Sequence, residues 1–448
     1  MNNKTIMTEL ERILRNQREE LESTDFSEYV TRKEEDFIDL ESPVAQIVIG
    51  VRRCGKSTLC QKVLKQSGVM FAYANFDDAV LAALKAVEMN LLLETLYQIY
   101  GAFTHLFLDE VQNIDQWPLF VNRLLRQKIH LVLTGSNANL LSDDLSTHIT
   151  GRYNEIHLHP FSFKDYCVAK KVDTKGLTTK AEGLRRHALD GYLMQGGLPE
   201  TFFMKDQGRY VRSLLDAIIN KDICKRYKIR YKKTLQQIAN GLLDRFCQEV
   251  NYQDIQEAYH LKSVHTVKNY VSYIEKAYLV RLVPRYSFKS IERQNYRKVY
   301  AIDTAFVTEH ADVLQTDSWG WRLENVVCVE LLRRMEYASQ ELFYLRENRS
   351  YEVDFAVVDR GHVTQLVQVT YDFSNPSTRL YNREIGGLLK GATATHCNNL
   401  TLIMMHGESH DIKEGDYTIH CITATEWLLH HPNNSAPLVR SDLQFAQL

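Results

Sequence analysis

Gly50-Val51-Arg52-Arg53-Cys54-Gly55-Lys56-Ser57 decides how this chain is read. It fits G-x-x-x-x-G-K-[ST], the loop that cradles phosphates. The run before it, VAQIVI (44–49), reads as a buried strand, and STLCQKVLK (57–65) reads as the start of a helix. Glycines let the backbone fold tightly around a polyphosphate. Successive N–H groups and the helix N-terminus then turn positive potential toward it. In such a loop Gly50, Arg53, Cys54, Gly55, Lys56, Ser57 and Thr58 surround the nucleotide. Lys56 reaches the β- and γ-phosphates, and the Ser57 hydroxyl faces Mg²⁺.

Outward from the loop, strands and helices alternate. VMFAYA (69–74), THLFLDE (104–110) and IHLVLTGSN (129–137) read as strands. Residues 79–100 and 117–128 read as helices, and 7–22 as a charged amphipathic helix with Leu10, Ile13, Leu14 and Leu21 on its apolar side. This alternation predicts an α/β domain with a parallel sheet. Ligands in such sheets sit at the carboxyl ends of strands. Asp109 and Glu110 stand at one such end. An aspartate there holds Mg²⁺, and an adjacent glutamate polarises the attacking water. Ser136-Asn137 ends another strand, where Asn137 can bond the γ-phosphate or the water. Arg152, in Gly151-Arg152-Tyr153, is a candidate to stabilise transition-state charge in its own site or a neighbour's.

These motifs, with Asn75-Phe76-Asp77-Asp78 and Gly196-Gly197-Leu198-Pro199-Glu200, resemble a family of prokaryotic AAA-type ATPases. Members carry a C-terminal domain related in fold to PD-(D/E)xK nucleases. The likeness runs from about residue 25 to about 430. It implies an additional-strand P-loop sheet, Walker A and Walker B roles for the loop and Asp109-Glu110, and ATP in preference to GTP.

With 448 residues the chain is too long for one core. Four segments are expected: an ATP-binding domain (1–165), a helical lid (166–233), a winged helix-turn-helix (234–295) and an α/β restriction-endonuclease-like domain (296–448). The net charge of −2 conceals an asymmetry. Residues 221–298 hold 17 lysines and arginines against 7 acids, so the remainder carries −12. Such a basic stretch points to DNA. Within it, YQDIQEAYH (252–260), a short turn, VHTVKNYVSYIEKA (264–277) and YLVRLV (278–283) read as helix, turn, helix and strand. The second helix would present His265, Thr266, Lys268 and Asn269 to bases. Arg285, Lys289 and Arg293 suit phosphate contacts, and the run from Lys225 to Lys233 interleaves cations with aromatics.

In the last segment, Glu324 on a helix and Asp354 on a strand match two elements of a metal-dependent nuclease. Where Glu-x-Lys should follow, the chain has Gln368-Val369-Thr370. This domain is therefore expected to be nuclease-like and inactive. The eight cysteines show no paired spacing, as befits reduced thiols in the cytoplasm. No run approaches the roughly 18 apolar residues of a membrane span. The expected function is an ATP-hydrolysing switch associated with DNA, with a homo-oligomer left open. The alternatives are an ATP-gated nuclease and a signalling or protein-assembly ATPase without nucleic acid.

Overall fold

The computed structural model describes residues 3–114, 116–136, 151–287, 289–310, 319–336, 338–347 and 350–430. Five strands, β1 (Ala45–Ile49), β2 (Phe71–Asn75), β3 (His105–Asp109), β4 (His130–Gly135) and β5 (Tyr153–His157), form one sheet in the order β2-β3-β4-β1-β5. All its pairings are parallel. Every residue of β1 and β3 is buried, as expected for strands covered on both faces. β4 lies between the loop strand β1 and the Asp109 strand β3, the additional-strand arrangement that the family resemblance implies.

Helices α1 (Asn3–Ser23), α2 (Lys56–Ser67), α3 (Ala79–Ala82), α4 (Met89–Tyr100) and α5 (Trp117–Arg126) flank the sheet. Leu10, Leu14 and Leu21 of α1 are buried, and the helix packs on α4 and β2. The single helix expected over 79–100 is broken. Asp78 caps α3 through the N–H groups of Val80 and Leu81, and Glu88 accepts the Lys85 N–H at 2.8 Å, starting a new turn. Local side-chain capping here prevails over the continuous helical pattern.

After β5 come α6 (Phe163–Ala169), α7 (Thr179–Gln195), a 3₁₀ turn (Pro199–Phe203), α8 (Gln207–Ala217) and a π-helical segment (Ile218–Lys225). Ser162 and Asp165 form a capping box on α6, and Thr178 caps α7. Then follow α9 (Lys232–Asp244), α10 (Tyr252–Ala258), α11 (Val264–Lys276), β6 (Val280–Pro284), α12 (Ser290–Asn295) and β7 (Arg297–Ala301). Ser263 caps α11, and β6 and β7 form an antiparallel two-stranded sheet.

The last part contains α13 (Thr304–His310), α14 (Trp319–Met335), β8 (Gln340–Glu347), β9 (Tyr351–Asp359), β10 (His362–Asp372), α15 (Thr378–Thr395), β11 (Leu400–His406), β12 (His410–Glu414), β13 (Tyr417–Thr423) and α16 (Ala424–Leu429). Its mixed sheet runs β12-β13-β11-β10-β9-β8, with β11 parallel to both β10 and β13. One apolar core runs from α1 through the middle helices to α14, and a second lies beneath α15.

Candidate nucleotide-binding site

The loop leaves β1 at Gly50, whose φ is +153°. A Cβ there would sit 2.1 Å from the Leu158 carbonyl oxygen, so only glycine fits. Gly55, with φ +101°, takes the N-cap position of α2 without a capping side chain. The N-terminus of that helix therefore faces the loop uncapped, as an anion site requires. Lys56 is buried and its Nζ donates to the carbonyls of Gly50 (3.1 Å) and Val51 (3.0 Å), holding the ammonium across the loop mouth. Thr58 follows on α2 and is half-buried. Cys54 is buried, and burial pushes its thiol pKa up, which makes it a packing residue and a poor nucleophile.

Asp109 gathers three hydroxyls from three elements. Ser57 Oγ on α2 donates to its Oδ1 at 2.8 Å, Thr134 Oγ1 on β4 donates to the same oxygen, and Tyr73 Oη on β2 donates to Oδ2 at 3.3 Å. Burial first and the neighbouring Glu110 second push the Asp109 carboxyl up to about 6. The donor set fits Mg²⁺: hard oxygens, with Ser57 and Asp109 2.8 Å apart, close to the about 2.9 Å that separates adjacent ligands of an octahedral Mg²⁺. Glu110 sits in the left-handed region at φ +53°. Its N–H is tied to Thr134 Oγ1 at 2.9 Å, and Gln112 donates to its carboxylate. Glu110 is thus a non-glycine residue held at both ends in a sparsely populated backbone conformation.

Two arginines between the loop glycines reach the helical segment after β5. Arg52 forms a bidentate pair with Asp222 on the π-helical stretch, Nε to Oδ2 and Nη2 to Oδ1 both at 3.0 Å. Arg53 Nη1 contacts Glu200 at 2.8 Å, and Tyr210 donates to the other Glu200 oxygen. Glu200 ends the Gly196–Glu200 motif. Gly196 is the C-cap of α7, and Asp303, just after β7, accepts the Gly197 N–H at 2.8 Å. The motif thus touches the loop on one side and the β7 end on the other.

The other expected residues divide. Asn137 lies outside the described residues; its neighbour Ser136 is buried with Oγ 3.4 Å from Asp222. Arg152 is exposed and precedes β5, where its carbonyl accepts the N–H of Ala45, the first residue of β1. It therefore stands at the opposite end of β1 from Gly50, roughly 16 Å away at about 3.3 Å per residue over the five steps from Ala45. The carboxyl ends of the parallel strands, with the loop, lie on the other edge of the sheet.

Glu324 and Asp354 are both buried, and between them is a cation that the sequence pattern missed. Lys298 of β7 places Nζ 3.3 Å from Glu324, 3.8 Å from Asp354 and 2.6 Å from Glu352. Lys298 stands on the two-stranded β6–β7 sheet, whereas Asp354 stands on the mixed sheet. Burial and the facing Glu324 push the Asp354 carboxyl well above its usual range. Gln368 donates to Glu384 at 2.7 Å, and its side-chain oxygen accepts the Asp354 N–H at 3.2 Å. Among the described residues no three His, Cys, Asp or Glu side chains are grouped to hold a metal ion.

On α11, His265 and Lys268 are exposed, while Thr266 and Asn269 are half-buried. Lys225, Lys228, Arg230, Lys232 and Lys233 are exposed nearby, but Tyr227 is stacked on Tyr273 at 3.8 Å. Arg285 is committed elsewhere, donating to the Arg346 carbonyl and lying over the Tyr296 ring. All eight cysteines are free, and no described helix is long and apolar enough to cross a membrane.

The strand order, the loop and the Asp109-Glu110 strand end define an AAA-type P-loop ATPase domain. In agreement, an AAA domain model matches residues 42–167, and a domain of unknown function (DUF8612) matches residues 186–317. Neither match describes a nuclease. The chain belongs to one family with the uncharacterized protein MJ1544 of Methanocaldococcus jannaschii, to which it is 31% identical over 370 residues, covering 80% of each chain. An uncharacterized Haemophilus influenzae protein is 29% identical over 316 residues, 67% of this chain and 76% of that one. Among solved structures, the Walker-type ATPase PABY2304 of Pyrococcus abyssi aligns at 15% identity and TM-score 0.41, over 63% of this chain and 95% of that chain. The RuvB Holliday junction branch migration motor of Thermotoga maritima aligns at 15% identity and TM-score 0.28, over 54% and 82%.

Proposed function

We propose that this protein binds and hydrolyses ATP with Mg²⁺ at Gly50–Thr58 and uses the cycle as a conformational switch on DNA. The observation that carries the reading is the convergence of Ser57, Thr134 and Tyr73 on Asp109 beside a strained Glu110. Lys56 and the α2 N-terminus hold the phosphates, Ser57 and Asp109 orient the metal side, and Glu110 takes the proton of the attacking water. Mg²⁺, when bound, neutralises charge on the β- and γ-phosphates. Replacing Lys56 by Ala or Glu110 by Gln should each abolish phosphate release; hydrolysis that survives both would remove this site assignment.

The DNA part rests on α10, the turn, α11 and the β6–β7 ribbon as a winged helix-turn-helix, with the exposed His265 and Lys268 at the N-terminal part of α11. Binding of a short duplex should be strong at low salt and fall steeply with added salt. Lys268→Ala should reduce the salt slope by roughly one phosphate contact. No binding at low salt would favour a signalling or protein-assembly ATPase. The last domain we read as nuclease-like and inactive: its Glu324–Lys298–Asp354 cluster is buried, which denies DNA access. Plasmid nicking with Mg²⁺ that Asp354→Ala abolishes would reverse that reading in favour of an ATP-gated nuclease.

A further inference from the structure

Loop chemistry needs the backbone between Gly50 and Gly55 and leaves the side chain of the third position open. This chain puts Arg52 there and sets its guanidinium among acids from several elements. Asp222 of the π-helical segment holds it bidentately, at 3.0 Å on both contacts. Asp77, beyond the end of β2, lies 3.8 Å from Nη1, and the charge of Glu110, beyond the end of β3, also acts on it. Ser136, beyond the end of β4, reaches Asp222 at 3.4 Å. The Arg52 and Asp222 side chains are only 13% and 7% exposed. The guanidinium therefore stands at the carboxyl edge of the sheet, over the strand ends toward which Lys56 and Ser57 direct the terminal phosphate. A phosphate offers the same planar pair of acceptors as a carboxylate, with more charge. Asp222 also lies within an eight-residue π-helix, a conformation common at functional sites.

We propose that Arg52 reads the γ-phosphate, and that Asp222 holds it while that phosphate is missing. A triphosphate takes the guanidinium and releases Asp222 with its segment; a diphosphate leaves the pair intact. The inference rests on the ATP reading above. It makes Arg52 the residue that distinguishes ATP from ADP, and Ile218–Lys225 the first element outside the sheet to respond.

The test is equilibrium binding of ADP and of a non-hydrolysable ATP analogue to the full chain. Arg52→Gln should weaken the analogue by about tenfold or more, the worth of a charge-assisted hydrogen bond, and leave ADP within about threefold. Asp222→Asn should tighten the analogue and leave ADP unchanged. Arg52→Gln leaves the buried Asp222 carboxylate without its arginine, so the double variant R52Q/D222N, which removes both, guards against misfolding. It should bind ADP like wild type and lose the preference for the analogue. Hydrogen exchange in 218–225 should rise with the analogue and stay unchanged with ADP. Equal loss of both ligands in R52Q/D222N, or an unchanged preference for the analogue, overturns the proposal. Wild-type protein that binds neither nucleotide overturns it together with the ATP reading, whereas binding of both that Lys56→Ala abolishes keeps the latter separate.

Discussion

Asp109 illustrates how a single side chain sets opposing demands. Folded, its carboxyl titrates at about 6; its ordinary value is 3.8. The unfolded chain therefore gives up this proton first, and stability falls as pH rises through the window between the two values. A difference of that size is worth about 3 kcal/mol at most, and the hydroxyl donors lost on substitution lower the net gain. Asp109→Asn should thus stabilise the nucleotide-free protein at pH 7 by roughly 1–2 kcal/mol in urea unfolding, while hydrolysis is lost. Below pH 6 the wild-type protein should need more Mg²⁺ for half-maximal activity. Lys298 makes the reverse case. Burial works against its charge, but Glu324, Asp354 and Glu352 hold it charged. Lys298→Met leaves buried acids without their cation and should cost about 3–5 kcal/mol. Adding Glu324→Gln should recover part of that; a silent single change would mean the cluster carries little of the domain's stability.

Among the elements, the Gly196–Glu200 turn is tightly packed. A Cβ on Gly197 would stand 2.3 Å from the Phe161 carbonyl oxygen, whereas one on Gly386 in α15 meets nothing within 4 Å. Gly197→Ala should cost about 2–3 kcal/mol through a forced backbone shift. Gly386→Ala should stabilise by about 0.5–1 kcal/mol through helix propensity. Denaturant midpoints that move the same way for both would contradict this difference in packing. Because the turn places Glu200 on Arg53 and Gly197 on Asp303, Gly197→Ala should also lower hydrolysis, as no surface glycine in a loop would. The broken helix at 79–100 belongs to the same scale: its apolar spacing is legible in the chain, but the side-chain bonds of Asp78 and Glu88 set where its separate turns begin.

For the whole molecule, the position of Arg152 matters most. It projects from the amino end of the sheet, remote from the loop of its own chain. If it acts, it acts on another copy. Specific activity should then rise with protein concentration, and a mixture of Lys56→Ala and Arg152→Ala chains should be more active than either alone. Constant specific activity on dilution, with no gain on mixing, would leave Arg152 without a catalytic role.

Much of the site is readable in the linear chain because phosphate binding needs consecutive backbone groups. Gly50 to Ser57 must be local in sequence, and so must the apolar strand that delivers Asp109 and Glu110 to a sheet edge. Periodicity likewise carries the strand–helix alternation. The cation of the acid cluster is not legible in the chain because it stands on β7, 56 residues before Asp354. Arg52 and Asp222 are 170 residues apart, and Arg53 and Glu200 are 147 apart. No local spacing links such pairs. The sequence alone determined the phosphate loop, the acidic strand end and the class of sheet, since each is written in contiguous residues with a fixed local geometry. Only the tertiary structure decided which carboxylates hold the loop arginines, which lysine meets Glu324 and on which edge Arg152 stands, because those depend on how distant elements pack and on the strand order of the sheet.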